Sequence, residues 1–327
     1  MHARAVFPGA PARGGMYESF YVRAVAPREP VGVWVRYTVH KRPGERARGS
    51  VWCTVFDASG GRPWMQKFTS EELSAPADAW IAIGTACRLG DGFARGECGG
   101  ARWSLEIEAQ EPELRHLPSR WMYRAPLPRT KLTSPSPNAR FNGTFELPDG
   151  RALQLEGWRG MVGHNWGAEH AARWIWLHGV GFAEDERAWL DVALGRIEVA
   201  GRLTPWVANG ALGIDGERLR IGGLGARGLR VRESTEGCRL SMPGPKGLRV
   251  EANVRVPSGT SAGWRYADPD GGEHEVANCS VARVELDVVL PGAADPRRLM
   301  SEHGGAYELG MPAGEAHGVE IAPFEDG

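Results

Sequence analysis

The sequence predicts an all-β fold of two antiparallel β-barrel domains side by side, and three observations carry that expectation. Apolar and polar residues alternate with a period of two along most of the chain, while sustained helical periodicity is scarce. The alternating runs are cut by Asp-Gly and Gly-Gly turns at 57–61, 148–150, 215–216 and 268–272, where Gly or Asp supplies the positive φ that hairpins need. The same texture returns on both sides of a proline-rich stretch, and 327 residues are about twice the ~150 of an average domain. Short strands joined by such turns close into sandwiches or barrels.

Taken in order, residues 1–15 are rich in Gly, Pro and Ala and read as a disordered tail. A polar-aromatic strand, Met16-Tyr17-Glu18-Ser19-Phe20-Tyr21, follows and sets Glu18 and Phe20 on one face. Residues 31–39, 51–56, 101–107 and 141–147 read as half-buried strands. Six prolines between 112 and 137 remove ladder donors, so that stretch is expected to be a long surface connection. Strands are expected again at 174–182, 188–194, 229–232, 239–242, 248–256 and 276–290, and short helices only at 70–73 and 168–172. The first barrel should span 16–168, with the 112–137 connection inside it, the second 169–310, and a tail 311–327.

Composition excludes several classes. Lys and Arg number 39 against 40 Asp and Glu, with no basic run, so nucleic acid is not an expected partner. No apolar stretch reaches the ~18–20 residues of a membrane helix, and the opening residues lack an apolar core of signal-peptide length, which points to a cytoplasmic protein with peripheral membrane contact left open. Cys53, Cys87, Cys98, Cys238 and Cys279 form no C-x-x-C pair and read as reduced core residues. The run 223–228 matches G-x-G-x-x-G but leads into a strand instead of a helix; no P-loop or nucleophile elbow is present, so no cofactor is expected. Thirteen Trp against six Tyr suit aromatic-lined cavities. Nothing in the composition sets the oligomeric state.

Chemistry concentrates in Gly163-His164-Asn165-Trp166-Gly167-Ala168-Glu169-His170 and Arg173-Trp174-Ile175-Trp176-Leu177-His178-Gly179. On a strand, Trp174, Trp176 and His178 share one face and Ile175 and Leu177 the other, the pattern of a ligand-lined barrel interior. Such residues also serve as plain core, and it is their clustering that favours a site. His164, His170 and His178 have no recognised metal-ligand spacing, so no metal is expected. Trp189 and Asp191 share a face, which makes Asp191 either a buried carboxyl with a raised pKa, able to donate a proton, or the partner of a nearby Arg.

The run His164-Asn165-Trp166-Gly167 followed by Arg173-Trp174-Ile175-Trp176, with the opening 16–21 and the closing Gly305-Ala306-Tyr307-Glu308-Leu309-Gly310, resembles the lipocalin-like superfamily of carotenoid hydratase (hydroxyneurosporene synthase), tocopherol cyclase and AttH-like proteins. The resemblance spans roughly 16–310 and implies two lipocalin-like barrels with a hydrophobic ligand between or inside them. It also implies that His164, Trp166, Trp189 and Asp191 take part in protonating a double bond. Trp189 departs from the Tyr expected in the hydratases, which removes a hydroxyl from that position.

The function these readings suit is a cofactor-independent enzyme on a hydrophobic isoprenoid- or polyketide-like substrate, running acid-initiated cyclisation, isomerisation or hydration. Such chemistry needs a dry cavity, one carboxylic acid kept protonated by desolvation, and aromatic faces that stabilise a carbocation. Asp191 would be the catalytic proton donor and His164 its hydrogen-bonding partner. Trp166, Trp174, Trp176, His178, Trp189 and Glu18 would bind the substrate. The alternative from another class is a non-catalytic carrier of a lipid or pigment. A carrier needs no acid on the inner face, so a buried, unpaired Asp191 would favour the enzyme.

Overall fold

The computed structural model describes residues 4–199, 201–223, 225–315 and 317–324. Residues 1–3 and 325–327 of the two expected tails, and Leu224 of the glycine run, lie outside the described residues. The first half contributes β1 (Met16–Val25), β2 (Val31–Lys41), β3 (Arg48–Asp57), β4 (Trp64–Ser70), β5 (Leu73–Ser74) and β6 (Ile81–Ile83). It continues with β7 (Cys87–Gly90), β8 (Phe93–Cys98), β9 (Ala101–Ala109), β10 (Leu114–Arg115), β11 (Thr130–Glu146) and β12 (Ala152–Gly167). The second half contributes β13 (Arg173–Gly179), β14 (Trp189–Arg196), β15 (Glu198–Val199), β16 (Arg202–Leu203), β17 (Val207–Ile214) and β18 (Glu217–Gly222). Then come β19 (Arg230–Ser234), β20 (Gly237–Pro243), β21 (Arg249–Arg255), β22 (Ala262–Ala267), β23 (Glu273–Val289) and β24 (Arg297–Pro312).

Two antiparallel sheets result. The first runs β4-β3-β2-β1-β12-β11-β9-β8-β7-β6-β5, with β10 on β11. The second runs β18-β17-β14-β13-β24-β23-β21-β20-β19, with β22 on β23, while β15 and β16 form a separate hairpin. Each sheet curls until its far strands pack together, β3 against β6 and β8 in the first and β18 against β20 in the second. The molecule is thus two near-closed barrels, and among the described residues no helix is long and apolar enough to cross a membrane.

Period-two patterning explains the interiors. On β1 and β2 the inward residues Phe20, Val22, Val33, Val35 and Tyr37 join the core of the first barrel. The outward residues Tyr17, Ser19, Tyr21, Arg23, Trp34 and Arg36 are nevertheless buried, because that face packs on the second barrel. Strand β1 is therefore buried over its whole length. Aromatic contacts join the barrels: the Trp52 ring lies 5.0 Å from Trp264 and 5.5 Å from Tyr266, both edge-on.

Three expectations need correction. No helix forms at 70–73 or 168–172; the first stretch joins β4 to β5 and the second is a bend, each too short for a helix to nucleate against its neighbouring strands. The proline-rich stretch is a connection only as far as residue 129, since Pro135 and Pro137 lie inside β11. The β11–β12 ladder shifts register between Thr133 and Ser136 and between Ser136 and Ala139, and these bulges accommodate residues that have no N–H to donate. The flanks are also not free. The Val6 and Phe7 N–H groups donate to the Glu18 carboxylate, β24 runs on to Pro312, Ile321 bridges Gly263, and the Phe324 ring stacks 5.8 Å from Trp264.

Candidate active site

A cavity of about 670 Å³ opens between the barrels, walled by outward-facing side chains of both sheets. Tyr17, Tyr21, Trp34, Trp174, Trp176 and Tyr266 make it aromatic, and Arg36, His116, Asn165, His170, Asn209 and Glu308 bring polar groups to it. Two glycines let rings lie flat on the wall. A Cβ on Gly163 would fall 2.1 Å from the Tyr21 ring, and one on Gly310 2.1 Å from the Trp174 indole. Each glycine is the cross-strand partner of the ring it accommodates. Residues 174–178 do alternate as expected, but in the opposite sense: Ile175 and Leu177 fill the second barrel, and Trp174, Trp176 and His178 point out of it toward the first.

The His170 ring lies parallel to Tyr17 at 4.0 Å, with Trp174 stacked 5.4 Å away. Its Nδ1 lies 2.6 Å from Asp268 Oδ1, its backbone N–H donates to the same oxygen at 2.8 Å, and Asp268 Oδ2 lies 3.1 Å from His274 Nε2. Burial alone would raise Asp268, but these hydrogen bonds outweigh it and hold the carboxyl well below the usual carboxylate range. Burial lowers His170 against the opposing pull of Asp268, so the imidazole is neutral at neutral pH. A neutral ring that donates from Nδ1 carries its lone pair on Nε2, and that atom is buried without a hydrogen-bond partner.

His170, Asp268 and His274 are close enough to share a metal ion, their ligand atoms lying within 4.8 Å of one another. The hydrogen bonds just described already account for the arrangement. The nitrogens that would back a metal-bound pair, His170 Nε2 and His274 Nδ1, have no partner, whereas ligating imidazoles are normally held from behind.

Glu308 accepts from Trp174 Nε1 at 2.9 Å, Tyr266 Oη at 3.1 Å and Asn278 Nδ2 at 3.0 Å, which fixes the indole and the phenol on the wall. The Arg36 guanidinium sits 3.9 Å over the Tyr266 ring, and its Nε donates to Ser19 Oγ at 2.7 Å. Burial keeps the Tyr17 and Tyr21 phenols protonated by pushing both up.

Asp191 lies behind the wall, fully buried. It accepts from Ser134 Oγ at 2.5 Å and Trp176 Nε1 at 3.2 Å and stands 3.3 Å from His116 Nε2. His116 Nδ1 faces the Asn209 carbonyl at 3.1 Å, so it is Nδ1 that donates there. His116 Nε2 also lies 3.2 Å from Ser134 Oγ, so the imidazole, the hydroxyl and the carboxylate form one buried cluster. Burial pushes Asp191 up, but His116 foremost, with His178 and Ser134, holds it below its ordinary range. The expected raised pKa is thereby overturned: strong donors surround the carboxyl, and the indoles beside it contribute one of them.

The other expected residues divide by the strand face they occupy. His164 and Glu18 form a pair at 2.7 Å, with His164 stacked between Phe20 and Trp166; this group packs inside the first barrel and anchors Val6 and Phe7. Neither His164, Glu18 nor Trp166 lines the cavity, whereas Asn165, on the opposite face, does. His178 faces the Pro137 carbonyl with Nε2 at 3.0 Å and Arg23 Nη1 with Nδ1 at 3.2 Å, and burial followed by the Arg23 charge lowers it to about 3. Trp189 belongs to the core, with Arg218 over its ring at 5.4 Å. Of the expected binding residues, Trp174 and Trp176 line the cavity. Arg36, His116, Asp268 and Glu308 were not among the expected site residues, and His170 was expected only as a member of the 163–170 cluster, with a metal-ligand role set aside. Asp268 was hidden in a turn and Glu308 in the closing run, where alternation with buried Tyr307 and Leu309 was the available signal.

Fold and site together define a two-barrel lipocalin-like protein with a ligand-sized cavity at the barrel junction. No family model matches the chain. An uncharacterized protein of Mycobacterium tuberculosis is 25% identical over 289 residues, covering 87% of this chain and 84% of that protein. Among solved structures, CghA with Sch210972 superposes with a TM-score of 0.59 at 15% identity, covering 95% of this chain and 94% of that one. An AttH protein of Nitrosomonas europaea gives 0.53 at 12% identity over 94% and 97% of the two chains. Kievitone hydratase of Nectria haematococca gives 0.53 at 9% over 95% and 93%. The chain thus shares the fold of these three solved structures.

Proposed function

We propose that this protein is a cofactor-independent enzyme that binds a hydrophobic substrate between its barrels and drives cyclisation, isomerisation or hydration by proton transfer. The observation that carries this reading is His170, an imidazole on the wall of an aromatic cavity, oriented by a buried carboxylate and left with an unpartnered Nε2. Neutral His170 is a base. It takes a proton from the carbon between a carbonyl and a C=C bond, the C–H electron pair spreads into a dienolate with its charge on the carbonyl oxygen, and the imidazolium returns the proton at the far carbon of that dienolate, which shifts the double bond and isomerises the substrate. The enolate can instead attack a second carbonyl carbon within the molecule and close a ring, the C=O π pair moving onto that oxygen and the imidazolium returning its proton there. The fold is shared with a structure holding Sch210972 and with a protein named a hydratase, which supports small-molecule chemistry at this junction.

The test is deuterium uptake from D2O into a β-keto lactone probe, followed by mass spectrometry. Wild type should catalyse exchange, and His170→Gln should lower the rate by about 10²–10⁴. Exchange no faster than buffer, from protein that binds the probe, would leave the carrier reading. One observation favours that second reading: Asp191 is fully partnered, so the criterion of an unpaired acid goes to the carrier.

The cytoplasm is the proposed compartment, supported by five free, buried cysteines. Peripheral membrane contact is supported by the cavity mouth, where Trp121, Leu127, Ile197 and Val199 are exposed beside Glu198, with exposed Arg120, Arg124, Arg202 and Leu203 close by in sequence. Exposed apolar tips with arginines close by suit a bilayer surface. Co-sedimentation with phosphatidylserine vesicles, absent for Trp121→Ser, is the expected result; equal recovery of both proteins with the vesicles would refute it.

A further inference from the structure

The cavity contains a cation whose charge the protein does not answer. Arg36 is 5% exposed and lies on the outward face of β2, opposite Tyr21. A guanidinium has five N–H donors in a fixed fork. Only Nε is engaged, with Ser19; Nη1 is buried without a partner. No carboxylate among the described residues lies within 4.0 Å of it. Of the carboxylates near the cavity, Glu308 holds Trp174, Tyr266 and Asn278, Asp268 holds two histidines and Glu169 holds Arg129, while Glu198 stands on the exposed rim. Arg23, buried nearby, differs: its terminal nitrogens meet the Ser280 carbonyl and His178, and it does not line the cavity.

A desolvated guanidinium is costly unless it is paired, and stacking on the Tyr266 ring at 3.9 Å, with Trp52 at 5.4 Å, offsets only part of that cost. We infer that the ligand of this cavity is a hydrophobic acid whose anionic group, a carboxylate or the enolate of a β-dicarbonyl, docks on the terminal nitrogens of Arg36. The inference rests on the proposed function for the site and narrows its substrate class. Polyketide-like acids fit, and neutral isoprenoid hydrocarbons do not. A carboxylate, or the two oxygens of a β-dicarbonyl enolate, offers the paired acceptors that a guanidinium fork matches bidentately.

The experiment compares binding of 11-(dansylamino)undecanoate and its methyl ester by dansyl fluorescence, with circular dichroism and melting curves to confirm the fold of each variant. Wild type should bind the acid about tenfold or more tighter than the ester, the usual range for a charge-assisted pair. Arg36→Met, which roughly conserves length without charge, should bind both probes equally, at the ester's affinity. Arg36→Lys should keep a reduced preference for the acid and serves if Arg36→Met does not fold. Equal binding of acid and ester by wild type, or a full acid preference in Arg36→Met, overturns the inference, as does folded wild type that binds neither probe. Because binding is read without turnover, a failure here leaves the proton-transfer reading intact, and a failure of deuterium exchange leaves this result standing.

Discussion

His170 offers a lone pair at Nε2 only while Asp268 keeps the proton on Nδ1. Asp268→Asn removes that preference, and the ring can turn over to the other tautomer. We expect exchange to fall by about 10²–10⁴ with ligand affinity little changed, read as a loss in kcat over KM. The pH profile carries the sign. Burial depresses His170, so the base is already neutral at pH 7, and activity should be lost only on acidification through a value below the ordinary ~6.5 of histidine. A limb above that value would contradict the assignment. Asp191 belongs to stability instead. Asp191→Asn removes the carboxylate beside His116 in a fully buried position, and losing one partner of a buried pair costs about 3–5 kcal/mol. Chemical denaturation should show that loss, and an unchanged midpoint would return Asp191 to the list of free acids.

In a strand, neighbours in sequence face opposite ways, and this decides what each motif contributes. In β12, His164 and Trp166 pack into the first barrel while Asn165 reaches the cavity; in β24, Tyr307 and Leu309 are core while Glu308 is wall. The clustered motif thus supplies two environments, which is why its membership was legible and its division was not. Glycines at cross-strand positions are structural in a particular way. Gly310→Ala places a Cβ 2.1 Å from the Trp174 indole, which then has to leave the wall it shares with His170. The variant should lose about 1–3 kcal/mol of stability, the range for overpacking, and bind the dansyl probe more weakly. Unchanged affinity with unchanged tryptophan emission would show that the indole does not shape the cavity.

Across the whole molecule, the barrels are tied by His178. It sits on β13 of the second barrel but meets the Pro137 carbonyl and Arg23, both of the first. Its pKa is lowered to about 3 by burial and by Arg23, against ~6.5 unfolded, so between those values the unfolded chain binds a proton that the folded chain refuses. Stability from this group is complete above about pH 6.5 and falls as pH drops toward 3, by up to ~1.4 kcal/mol per unit. Melting temperature should therefore decline from pH 6.5 to 4. His178→Asn should be less stable at pH 7 yet show a shallower decline, and parallel slopes would assign the acid sensitivity elsewhere.

Sequence alone determined the all-β class, the two-barrel plan and the segment that brings Trp174 and Trp176 to the cavity, because alternation, turn chemistry and local composition are properties of neighbouring residues. Trp174 and Trp176 were found that way. Arg36, His170 with Asp268, and Glu308 come together only when β2, the bend after β12, the turn after β22 and β24 are packed around one space. Asp191 makes the same point from the other side. A lone carboxyl among tryptophans reads as a strained acid, and only packing reveals Ser134 and His116 beside it, on segments about 57 and 75 residues away. Charge, pairing and access to a cavity are set by groups remote in sequence, so tertiary structure decided which buried groups are satisfied and which are left open for a ligand.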